Sequence, residues 1–81
     1  MHDLHLANQI VNLARAYAQK QEIKIIKNIK INLGVISEHN KIISPANLEF
    51  NIKLLLGNNV KVEIEEMAGD MWELVEIGGD S

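Results

Sequence analysis

Apolar residues recur at three- and four-residue steps through Leu6, Ile10, Leu13 and Tyr17, the spacing of one helical face. Ala7, Val11, Ala14 and Ala18 widen the stripe, while Asn8, Asn12, Arg15 and Gln19 fall outward. This pattern predicts a helix from about Leu4 to Gln21, with Asp3 as its cap. From Lys24 the period changes to two. Ile25, Lys27, Ile29, Ile31, Leu33 and Val35 form one row, and Ile26, Asn28, Lys30, Asn32 and Gly34 the other. That is a strand with one buried and one wet face, and firm pairing is expected from about Asn28 because Lys27 interrupts the apolar row. Gly34 near its end suggests a bulge or a close backbone approach.

Residues Ile36 to Ile43 read as a loop. Ser44-Pro45 then signals a second helix, with Ser44 as N-cap and Pro45 as first helical residue. Leu48, Ile52 and Leu55 form its inward stripe, flanked by Phe50, Leu54 and Leu56, and Gly57-Asn58-Asn59 ends it. Val60 to Glu65 alternates apolar and charged residues cleanly. Ala68-Gly69-Asp70 is a turn, and Met71 to Ile77 a third strand without a clean polar face. Met71, Glu73, Val75 and Ile77 are expected on one side, and Trp72, Leu74 and Glu76 on the other. Gly78 to Ser81 reads as a frayed end or half a hairpin turn. The order α-β-α-β-β predicts an α+β two-layer domain, a three-stranded sheet with two helices packed on one face. The strand order stays open.

Eighty-one residues without an internal repeat or linker predict a single domain, 1–81. No Cys is present, which removes disulfide staples and thiolate zinc sites. No N-terminal apolar run has the length of a signal peptide or a membrane span, so a cytoplasmic protein and no membrane partner are expected. The net charge of −3 is unevenly distributed. Residues 1–59 hold seven basic and four acidic side chains, and residues 60–81 one basic and seven acidic. The acidic tail argues against nucleic acid as a partner.

Catalytic signatures are missing. The glycines at 34, 57, 69, 78 and 79 do not have phosphate-loop spacing. Neither a Ser elbow nor a zinc-binding H-E-x-x-H is present, and Glu63 and Glu65 fall on the wet face of an alternating strand. An enzyme is not expected.

The first three residues offer different chemistry. In a chain beginning Met1-His2-Asp3, the α-amine of Met1, the amide nitrogen of His2 and its imidazole can close a five- and a six-membered chelate ring. Three nitrogens in a plane suit Ni(II) or Cu(II). The fourth position is left to Asp3, His5, another chain or water. His5 and His39 are otherwise an exposed first-turn residue and an exposed loop residue.

The whole pattern resembles the HypA-type nickel metallochaperones, the hydrogenase maturation factors. The resemblance rests on Met1-His2-Asp3 running into a first helix and on the strand Asn28 to Gly34. It continues with the helix Ser44 to Phe50, the strand Val60 to Glu66, and Gly69-Asp70-Met71-Trp72-Glu73-Leu74-Val75. It implies nickel held by the Met1 amine, His2 and the backbone of His2 and Asp3. It also implies delivery to a [NiFe] hydrogenase large-subunit precursor in cooperation with a GTPase of HypB type. Two departures stand out. Asp3 replaces the usual Glu, and the family's four-cysteine zinc module is missing between about Glu66 and Asp70, so no zinc is expected. The alternative is a metal-free interaction module that docks on such a GTPase or self-associates, including homo-oligomers formed by strand exchange at an open sheet edge.

Overall fold

The computed structural model describes residues 3–38 and 41–80. In chain order the elements are α1 (Asp3–Lys20), β1 (Ile25–Leu33), β2 (Ser37–Glu38), β3 (Lys41–Ile42), α2 (Pro45–Leu56), β4 (Lys61–Glu66) and β5 (Trp72–Asp80). The main sheet has the order β4-β1-β5. β1 is its middle strand, parallel to β4 and antiparallel to β5. The parallel pair needs a crossover, which α2 supplies. Both helices pack on one face of the sheet, as the two amphipathic patterns require.

The core lies between the layers. Leu6, Ala7, Ile10, Val11, Ala14 and Ala18 from α1 meet Ile29, Ile31 and Leu33 from β1 and Leu48 and Ile52 from α2. Each fully buried Ile or Leu contributes about 1.5–3 kcal/mol. The α1 stripe is centred on the alanine row, where small side chains let the helix approach its neighbours. Tyr17, expected on the inward face, is instead 39% exposed. Asp3 is the first helical residue of α1 and does not precede it.

The ladder between β1 and β5 departs from simple alternation twice. Ile26 pairs with Gly79 and Asn28 with Gly78, so Lys27 is an extra residue. An inserted residue reverses which face the preceding residues occupy. Ile26 therefore packs against the core and Ile25 is 59% exposed, the reverse of the two expected rows. Pairing with β5 begins at Ile25, whereas pairing with β4 begins at Asn28. In β5, Glu76 pairs with Lys30 and Leu74 with Ile31, which leaves Val75 over. Trp72, Leu74 and Ile77 thus all pack at the core, which is why this strand has no regular polar face in sequence.

Gly78 and Gly79 are strand residues, not a fraying end. A Cβ on Gly79 would collide with the Ile25 carbonyl oxygen, and one on Gly78 would meet the Asn28 side chain. Gly34 confirms the close approach. A Cβ there would stand 2.5 Å from the Met71 carbonyl oxygen and 2.6 Å from that of Gly69. The stretch read as a loop holds the small hairpin β2–β3, with Ser37 opposite Ile42 and Glu38 opposite Lys41.

Helix ends follow local rules. The Ser44 hydroxyl accepts from the Asn47 N–H at 3.2 Å, and Pro45 opens α2. Gly57, at φ 118°, donates its N–H to the Lys53 carbonyl at 2.7 Å. At the end of α1 the Ile23 N–H reaches the Ala18 carbonyl at 2.8 Å and the Glu22 N–H reaches that of Gln19 at 3.3 Å. These two bonds form a Schellman cap. Its left-handed position is held by Glu22 at φ 60°, where glycine is usual.

Candidate metal terminus

Of the residues assigned to nickel, Met1 and His2 lie outside the described residues, as does His39. Asp3 contributes its backbone to the first turn of α1. That turn is fixed firmly. Leu6, Ala7 and Ile10 are buried within seven residues of the site, so the chain enters the fold on an anchored helix. A helix start is the positive end of its dipole, which opposes a dication, so a metal bound there would have to be held by chelation and not by the helix field. His5 is exposed in the first turn of α1.

Short turns join α1 to β1 and α2 to β4, so each helix runs against the strand that follows it. The starts of both helices therefore lie at the end of the sheet where β1 and β4 finish. The β2–β3 hairpin springs from this end as well, since Gly34 and Val35 bond to Met71 and Gly69 there. The opposite end gathers the last turns of both helices. Arg15 crosses from α1 and donates to the Leu55 carbonyl at 3.3 Å, capping the last turn of α2.

Among the described residues, no group of three or more His, Cys, Asp or Glu side chains is placed to hold a metal ion. Every buried side-chain polar atom among them has a partner. No helix among them is long and apolar enough to cross a membrane. The open sheet face is polar. Asn32 donates to Glu73 at 3.0 Å across the β1–β5 ladder, and Lys61 pairs with Glu63 at 3.3 Å. Neither a protein-family model nor a curated protein matches this chain.

Sequence reasoning passed over Arg15, Glu22 and Lys24. Their common surface is made by residues far apart in the chain, and the available signal was weak: a polar Gln21-Glu22 pair, without glycine, at the end of the first helix.

Proposed function

We propose that this chain is a nickel carrier, not a catalyst, binding Ni(II) through the Met1 amine, the His2 amide nitrogen and the His2 imidazole, with Asp3 beside them. The single observation that carries the reading is that α1 begins at Asp3, directly behind the chelating pair. A short chelate tethered to a core-anchored helix can be presented to a recipient without a pocket around it. The α-β-α-β-β order and its resemblance to HypA-type factors support a hydrogenase large-subunit precursor as recipient, a HypB-type GTPase as helper and a cytoplasmic setting.

Binding expels protons from the amine, the amide and the imidazolium, so affinity falls steeply as pH drops. Release follows when a recipient's ligand fills the open position and the amide is reprotonated. The test is a calorimetric Ni(II) titration of the parent protein and of His2→Ala. The variant is expected to bind at least about 100-fold more weakly, a loss at the upper end of what even supporting groups of metal sites produce. Unchanged affinity refutes the proposal.

A docking module is the second reading. It is favoured by Phe50 and Leu54, each 61% exposed one turn apart on α2. Self-association by strand exchange is less favoured. The Val75 bulge breaks the edge strand β5, and exposed Lys61, Glu63 and Glu65 line β4, both of which discourage edge pairing. A strict monomer at high concentration, by light scattering, counts against exchange.

A further inference from the structure

We infer that the groove between the end of α1, the start of β1 and Leu56 binds a small amphipathic anion, an aliphatic chain ending in a carboxylate. The groove is open to solvent along one side and has a volume of about 700 Å³, within the range of small-molecule sites. Its floor is apolar, formed by the half-buried Ile23, Ile26 and Leu56 packed at the edge of the core. Its walls carry Arg15, Glu22 and Lys24. A second depression of about 430 Å³ shares Ile25, Ile26 and Leu56 with it, which gives an aliphatic chain somewhere to extend.

Charge selects the head group. Lys27, Lys53 and Lys61 are each paired with a carboxylate. Arg15 and Lys24 have no ion pair among the described residues, although Asp80 lies close enough for its carbonyl to accept the Lys24 N–H at 2.8 Å. Arg15 gives one donor to Leu55, and a guanidinium has five. Two helix C-termini at one place would disfavour an anion. Here the Schellman bonds engage the Ala18 and Gln19 carbonyls and Arg15 engages that of Leu55, so part of each negative pole is already met. Glu22 opposes the anion. It is also the residue held in a strained left-handed conformation, so the groove wall is fixed at some cost to folding.

The site stands at the far end of α1 from the nickel residues. Arg15 lies twelve residues beyond Asp3 on α1, about 18 Å at the usual helical rise, so either assignment can fail alone.

The experiment uses decanoate as probe, with decanol as its uncharged counterpart, on the full chain followed by amide chemical shifts. The expected result is saturable one-to-one binding of decanoate, with shifts confined to residues 15–26 and 55–60. Decanol binds about tenfold or more weakly, the worth of a charge-assisted hydrogen bond. Arg15→Gln weakens decanoate about tenfold, Lys24→Gln weakens it, Glu22→Gln tightens it, and Lys53→Gln leaves it unchanged. Should Arg15→Gln unfold for want of its bond to Leu55, Lys24→Gln decides. No saturable binding, equal binding of decanol, or indifference to Lys24→Gln overturns the proposal.

Discussion

The two ends of α1 present chemistry in opposite ways. At its start, the proposed nickel chelate is built from the backbone and one side chain of adjacent residues, so its geometry is covalent and needs no tertiary structure. At its end, the groove exists because Arg15 meets Leu55 across 40 residues of chain and because β1 returns beneath the helix. One site belongs to the chain, the other to the fold. A carrier that must surrender its cargo gains from the first arrangement, since nothing has to open for the metal to leave.

Destabilising the core should separate the two most strongly. Ile31 is fully buried in the middle strand, and Ile31→Ala is expected to cost about 2–5 kcal/mol, measured by urea unfolding. The groove should be lost with the fold, while nickel affinity stays within about twofold, as for distant independent sites. Nickel binding that collapses with the core would break the comparison. Gly34→Ala should act more gently. Its Cβ meets two backbone oxygens that cannot swing aside, and the forced backbone shift costs about 1–3 kcal/mol. Unchanged stability would mean that the Gly34–Met71 approach is loose. Glu22→Gly sharpens the contrast from the other side. Glycine relieves the left-handed strain, so the variant should be more stable by about 1 kcal/mol, visible as a rise in the urea midpoint with no effect on nickel.

The same division decides how much could be read from sequence. Ser44, Pro45 and Gly57 announce the ends of α2 because caps are local. Val60 to Glu65 alternates cleanly because β4 pairs with β1 through six consecutive residues. β5 was harder to read because an extra residue, Val75, shifts the pattern midway and only the partner strand reveals it. Lys27 did the same to β1, so Ile25 and Ile26 exchanged faces. Gly78 and Gly79 look like an end to any propensity argument, yet they serve as strand because Ile25 and Asn28 lie tight against them. The tripeptide proposed to chelate nickel could be named from sequence because its donors are local. Arg15, Glu22 and Lys24 were not, since their groove is made by a tertiary closure.

The measurement that tests the central claim most directly compares Ni(II) binding, by absorbance and calorimetry, in protein with a verified free Met1 amine and in protein whose Met1 amine is acetylated. Acetylation removes the amine as a donor and leaves the His2 imidazole in place. Tight one-to-one binding that acetylation abolishes is the predicted result. Equal binding by both would transfer the metal to His5, His39 or chance ligands and contradict the account, and no binding by either would leave the docking reading in its place.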